Sequence, residues 1–490
     1  MFSKDTLMKC TGRKTKAARL VLTCLLVGVM TGCSGPQLRL WHTVDLTEEF
    51  TRESVDADVK SFEDYLLLEE RLYTQLSEEV YKSTGTGPEE ILNRYSRGSA
   101  ADPSRWPRNW NRSFELSVRQ PKGGVLLLHG MSDSPYSLRA LGQRFHREGY
   151  RVLGLRLPGH GTAPSGLRYA SWLDMAAAVG LALDHLEERI GDRPLHIIGY
   201  STGAALALNA TLEVIEQNAG RAPDSLVLIS PAIRVHSVAG LANFKNTLAG
   251  LPGLDGLAYL NVMNEFDPFN YNSFATNAGA QVHEITLDVD RRIRRHANSG
   301  SLKGQFPPVL VFKSTVDDTV TTAAVVDNLL LNLSDDRNEL VLFDINRNAA
   351  IKSTLLIDDP GPLTLRLMED PSLPFGVTFV TNRNPENQAI VAKYKSPKSS
   401  KITRVEELDM IWPRGVISLS HIALPFPPDD PLYGATPPLE KDRIYLGNLA
   451  IQGERGLLKV PENWLLRLRF NPFYSYLEDR SVDWVREMEP

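Results

Sequence analysis

The chain has 490 residues, long for one compact domain, so a catalytic core with insertions or a core plus a smaller module is expected. Its 42% hydrophobic and 23% charged residues are ordinary for a soluble globular protein and suffice for a sizeable buried core. The net charge of −5, with no Lys/Arg-dense tract beyond the first 20 residues, argues against nucleic acid as a partner.

The N-terminal stretch has the pattern of a targeting segment. Lys4, Lys9, Arg13, Lys14, Lys16 and Arg19 form a basic region ahead of the apolar run Leu20 to Met30. That run is roughly half the ~20 residues needed to span a bilayer, which favours a signal peptide over a membrane helix. It leads into Met30-Thr31-Gly32-Cys33, which resembles the bacterial lipobox, with Met30 in place of the usual Leu. Residues 1–32 are therefore expected to be removed and Cys33 lipidated. The other cysteines, Cys10 and Cys24, leave with the signal, so the mature chain has no disulfide and no cysteine-based metal site. Cleavage takes away six basic residues and Asp5, moving the net charge from −5 to −10. Membrane attachment then rests on acyl chains rather than on basic attraction to anionic lipid. Ser34 follows the cysteine where an Asp would signal inner-membrane retention, so the expected location is the outer membrane of a bacterial cell envelope.

Residues 33–112 read as a tether with an N-terminal helical segment. Phe62, Leu66, Tyr73, Leu76 and Val80 recur at helical spacing, and Ser61 with Asp64 has capping-box spacing. From 113 onward short apolar runs alternate with helical patterns. Strands are predicted at Val125–Leu128, Tyr150–Leu157, Leu195–Ile198, Leu226–Ile229, Val309–Phe312 and Leu340–Phe343. Helices are predicted at Tyr136–Glu148, Trp172–Ile190, Thr202–Asn218 and Ala323–Leu333. Continuous apolar strands between helices imply a mainly parallel, doubly wound α/β sheet over residues 113–490. Ligands bind such a sheet beyond the C-terminal ends of its strands. Two segments interrupt the alternation. Residues 233–306, rich in Gly, Asn and aromatics, are expected to cap the site. Residues 346–415, with strand-like Leu363–Leu367 and Gly376–Thr381, are expected to form a β-rich insertion.

The chemistry centres on Gly199-Tyr200-Ser201-Thr202-Gly203, between a predicted strand and an Ala/Leu-rich helix. A serine hydroxyl becomes a strong nucleophile when a sharp strand-to-helix turn holds it beside a base, and the turn requires small residues two positions either side. Ser201 is the candidate nucleophile. The loop after Val125–Leu128 begins His129-Gly130-Met131, which assigns the two main-chain oxyanion donors to Met131 and Thr202. His129 is expected to hydrogen-bond within that loop. A carboxylate beyond the strand Val309–Phe312 would orient the base, with Asp317 the choice and Asp318 the alternative. Only His421 among ten histidines follows Asp317, so it is the candidate base. The 104-residue gap between them requires the 346–415 segment to leave the core and return.

The stretches HGMSDSPYSLRALGQRFHREGYRVLGLRLPGHGTAP, GYSTG and PPVLVFKSTVDDTV resemble the carboxylesterase, monoacylglycerol lipase and lysophospholipase group of α/β-hydrolases, the division that also contains serine aminopeptidases. The resemblance spans roughly 123–345, with the histidine loop near 421. It implies an α/β-hydrolase fold with a Ser201–Asp317–His421 triad and Met131 and Thr202 as oxyanion donors. It also implies cleavage of carboxylic esters, with lipid-like acyl esters suggested by an aromatic cap and a lipid anchor. No metal or organic cofactor is implied. The first 110 residues and 346–415 depart from the group's pattern. A peptidase or amidase of the same fold, or a catalytically silent envelope lipoprotein, are the alternatives at this point.

Overall fold

The computed structural model describes residues 37–218, 220–234, 255–302, 304–317, 319–348, 359–440, 442–447 and 468–489. The chain divides into two units, Met1–Arg39 and Leu40–Pro490. The expected signal peptide, Cys33, Asp318 and residues 235–254 of the expected cap lie outside the described residues.

Runs such as Gly124–Leu128 and Ser225–Ile229 are buried at every position, as strands covered on both faces must be. The strands are β1 (Phe114–Leu116), β2 (Gly124–Leu128), β3 (Arg151–Leu155), β4 (Leu195–Tyr200), β5 (Ser225–Ile229), β6 (Tyr259–Asn261), β7 (Phe274–Ala275), β8 (Val309–Ser314), β9 (Glu339–Phe343), β10 (Gly376–Asn382), β11 (Ala389–Lys395) and β12 (Ile402–Ile411). Ten of them form one sheet in the order β1-β3-β2-β4-β5-β8-β9-β10-β11-β12, while β6 and β7 make a separate ribbon. From β3 through β10 the pairing is parallel, and β1, β11 and β12 pair antiparallel at the two ends.

The flanking helices are α1 (Phe62–Leu76), α2 (Arg139–Arg147), α3 (Trp172–Ile190), α4 (Thr202–Gln217), α5 (Thr276–Ser299), α6 (Thr322–Asn328), α7 (Gly361–Glu369) and α8 (Tyr474–Glu487). Alternate strand residues feed two cores. Leu126, Ile197, Leu228, Val311 and Leu342 pack with Val179 of α3, Leu208 of α4 and Val289 of α5. Leu127, Ile198, Ile229, Phe312 and Phe343 pack on the other face with Phe145 of α2 and Trp484 of α8.

Three segments differ from the expectation. Leu363–Leu367 lies inside helix α7 and is not a strand. Its Leu residues recur at spacing two, but Thr364 and Leu367, one turn apart, are the buried pair, and Leu365 is 58% exposed. Pro362 in the first turn favours a helix start there. The 346–415 segment does not leave the core either, because β10 to β12 extend the central sheet. Within 233–306, residues Thr276–Ser299 form a 24-residue helix whose Ile285, Val289 and Ile293 join the main core instead of a cap.

The N-terminal segment is more than a tether. Ser61 accepts from the Asp64 amide at 3.1 Å to cap α1. Phe62, Tyr65 and Leu68 of α1 then pack into the same core as Leu153 and Leu155. Beneath them Arg156 is buried and donates to Glu69 at 3.0 Å and to both oxygens of Glu49 at 3.0 and 3.2 Å.

Candidate active site

β4 ends at Tyr200, and the chain turns into α4 through Ser201, whose φ of 52° and ψ of −114° place it in the left-handed half of backbone space. Such a conformation costs on the order of 1–3 kcal/mol and persists only where neighbours impose it. Here the Ser201 amide donates to Ile229 O at 3.0 Å, and the Ala232 amide donates to Ser201 O at 3.1 Å. A Cβ on Gly199 would sit 2.5 Å from Ala204 Cα, and one on Gly203 would sit 2.0 Å from Leu128 O. Helix and sheet touch at this turn, which is the physical reason for both glycines.

Three residues far apart in sequence meet at the turn. Ser201 Oγ lies 3.2 Å from His421 Nε2, and His421 Nδ1 lies 2.8 Å from Asp317 Oδ2. With the proton on Nδ1 donated to the carboxylate, Nε2 is left free to accept from the serine. The other oxygen, Asp317 Oδ1, accepts from the Thr319 and Val320 amides at 2.9 and 3.1 Å. Burial alone would raise the Asp317 carboxyl. The hydrogen bond and charge of His421, with those of Lys313, instead hold it well below the usual carboxylate range. The histidine loop is tied on both sides. Ser314 Oγ donates to Leu419 O at 2.9 Å, and Ser420 Oγ donates to Leu468 O at 2.6 Å.

Met131 follows β2 in the His129-Gly130 loop, and Thr202 opens α4. A first-turn amide has no acceptor within its own helix. Among the described residues neither the Met131 nor the Thr202 amide has a backbone partner outside the helices and strands. His129 is held in the loop, as the Leu157 amide donates to its Nε2 at 3.1 Å and its Nδ1 donates to Gly130 O at 2.9 Å. Burial, with His160 nearby, pushes its imidazole well below the ordinary histidine value, so it is a neutral structural group. The segment after β6 clamps the same loop. The Tyr271 amide donates to Ser132 O at 2.9 Å, and Asn270 joins Ser132 Oγ at 3.3 Å to Asp133. Burial pushes the Asp133 carboxyl up to about 7.

Two groups of contacts escaped the sequence reading. Lys313, fully buried in β8, donates to Asp317 Oδ2 at 2.7 Å. Its signal is a lysine directly after the apolar run Val309–Phe312, four residues before the candidate acid. Tyr65, Tyr73 and Tyr95 of the N-terminal segment donate from their hydroxyls to the carbonyls of Arg156, Gly161 and Thr162 at 2.6, 3.1 and 3.0 Å. Tyr73 is marked only as one position of a helical pattern, and nothing in the local sequence points to these carbonyl partners. Among the described residues no group of three or more His, Cys, Asp or Glu side chains could hold a metal ion.

A mainly parallel sheet, with a strained serine between a strand and a helix, is the α/β-hydrolase fold. Residues 119–254 match the family model described as Serine aminopeptidase, S33. The thermostable monoacylglycerol lipase of Bacillus sp. (strain H-257) is 34% identical over 85 residues, which are 17% of this chain and 33% of that protein. The chain thus matches about a third of the length of this relative. Among solved structures, one of the metagenome-derived lipolytic enzymes LipS and LipT is 23% identical over 48% of this chain and 87% of its own, with a TM-score of 0.38. The monoacylglycerol lipase of Paleococcus ferrophilus is 16% identical over 47% and 88%, with a TM-score of 0.35. The chain has the α/β-hydrolase fold, and its matched segment is similar to the monoacylglycerol lipase of Bacillus sp. (strain H-257).

Proposed function

We propose that the protein is a serine hydrolase that cleaves carboxylic esters of lipid-like acyl groups. The observation that carries this reading is the continuous chain from Ser201 through His421 to Asp317, closed by distances of 3.2 and 2.8 Å. In this mechanism His421 Nε2 takes the Ser201 proton as Oγ attacks the ester carbonyl. The amides of Met131 and Thr202 hold the oxyanion. The protonated His421 delivers its proton to the leaving alcohol, and water then releases the acid from the acyl-enzyme. Asp317 keeps the proton on Nδ1 and stabilises the imidazolium.

A fluorophosphonate probe should label the folded protein, and Ser201→Ala should abolish labelling. Folded wild-type protein that resists the probe would overturn the reading. The serine-aminopeptidase description of the matched family model supports a second reading, an aminoacyl amidase. Turnover of p-nitrophenyl esters of graded chain length, set against aminoacyl anilides, decides between them. We also propose attachment to the outer membrane through lipidated Cys33, on the strength of the lipobox-like Met30-Thr31-Gly32-Cys33. Mass spectrometry of the mature N-terminal peptide tests it, and an unmodified Cys33 in membrane-extracted protein refutes it.

A further inference from the structure

We propose that Lys313 is a positioning residue of the triad: its ammonium neutralises the Asp317 carboxylate and so sets the acid limit of the esterase. The inference rests on the triad reading above. Lys313 and His421 both donate to the same oxygen, Asp317 Oδ2, at 2.7 and 2.8 Å. The side chains of Lys313 and Asp317 have no exposed surface, so water does not screen the pair. A lysine within a sheet strand is costly to bury, and it is tolerated when paired and hydrogen-bonded. Against His421 stand Ser201 from the turn after β4, Asp317 from the loop after β8 and the Tyr200 ring of β4 at 5.6 Å, with Lys313 of β8 behind Asp317. Of these, Asp317 and Lys313 carry charge.

The consequence concerns the proton that moves during catalysis. In a triad without such a lysine, imidazolium forms beside an uncompensated carboxylate, and the charges cancel. Here Lys313 has already cancelled the carboxylate, so protonating His421 places a net positive charge in a buried site. The acid limb of the rate profile is therefore expected at lower pH with the lysine than without it. A unit charge about 5 Å away, at an effective dielectric of about 20, moves a titration midpoint by about two pH units.

The test is the pH profile of kcat/KM for p-nitrophenyl butyrate with wild type, Lys313→Met and Lys313→Arg. The acid limb of Lys313→Met should lie higher than wild type by about one to two pH units. Lys313→Arg keeps the charge and should keep the wild-type limb. A limb that stays in place in Lys313→Met, or moves equally in both variants, overturns the proposal; a purely structural lysine would lower the whole profile without shifting it. The NMR titration of the His421 ring in the Ser201→Ala background, with and without Lys313→Met, needs no turnover. It reads the same displacement even if the ester-hydrolase reading fails, so the two failures are separable. Should Met at this position prevent folding, Lys313→Gln serves in both experiments.

Discussion

Asp317→Asn should damage catalysis and stability through two different partners. Toward His421, the amide can donate where the carboxylate only accepts, so the imidazole turns to the wrong tautomer. A loss of roughly 10⁴ in kcat is the expected scale, about 5 kcal/mol of transition-state stabilisation. Toward Lys313, the substitution removes the anion from an ammonium with no exposed surface. Stranding a buried charge costs about 3–5 kcal/mol. The cost also has a ceiling, because the lysine can fold as the free amine. Giving up a proton at pH 7 from an unfolded-state value near 10.4 costs about 4.6 kcal/mol, falling by about 1.4 kcal/mol for each pH unit upward. The sign follows directly. Burial already lowers the Lys313 ammonium in the wild type, and loss of the Asp317 charge lowers it further. The unfolded variant then binds one more proton than the folded one, so its stability rises with pH until the unfolded lysine titrates. Urea unfolding of both proteins at pH 7, 8 and 9 measures this. The gap should be about 3–5 kcal/mol at pH 7 and narrow by about 1–1.4 kcal/mol per unit. Adding Lys313→Met to Asp317→Asn should recover most of the stability and none of the activity. An absent gap refutes a charged Lys313 paired with Asp317, and a constant one refutes its folding as the free amine in the variant.

Gly203→Ala should lower kcat/KM by more than about 100-fold and stability by about 1–3 kcal/mol, because its Cβ would sit 2.0 Å from Leu128 O and drive α4 off β2. Steady-state kinetics with thermal unfolding checks it. Gly180→Ala, in the middle of α3 with nothing within 4 Å of an added Cβ, should raise stability by about 0.5–1 kcal/mol in urea unfolding, with activity unchanged. Glu69→Ala removes the acceptor for the Ser113 amide and hydroxyl and for Arg156 Nε. Glu49 still neutralises Arg156, so the cost is that of the stranded donors, about 1–3 kcal/mol, and a loss below about 0.5 kcal/mol would return the N-terminal segment to the status of a tether.

What was legible in the sequence is what local chemistry dictates. Strands β2, β4, β5, β8 and β9 announce themselves because a strand buried on both faces must be apolar at nearly every position. The turn at Ser201 is legible because only glycine fits at 199 and 203. Helix α5 was not, since its core-facing Ile285, Val289 and Ile293 are diluted among arginines and aspartates that face outward. Leu363–Leu367 misled because a spacing of two satisfies a strand pattern even when the burial that matters follows one helical turn.

A detour of 104 residues between Asp317 and His421 suggested a module outside the core, whereas β10, β11 and β12 add to the same sheet beside β9. Residues flanking those strands brace the segment that leads into His421. Asn346, just after β9, donates to Ile417 O at 2.7 Å and to Val416 O at 2.9 Å, and Trp412 packs edge-on against Phe473 at 4.7 Å. The loop bearing His421 is thus held from the β9 end through Asn346 and from the β8 end through Ser314. Precision at a catalytic base comes from such support, since a misplacement of about 1 Å costs roughly 100-fold in rate. The insertion is accordingly part of the scaffold that places His421. Its removal should displace His421 and lower turnover by the proposed triad, read as loss of fluorophosphonate labelling at Ser201.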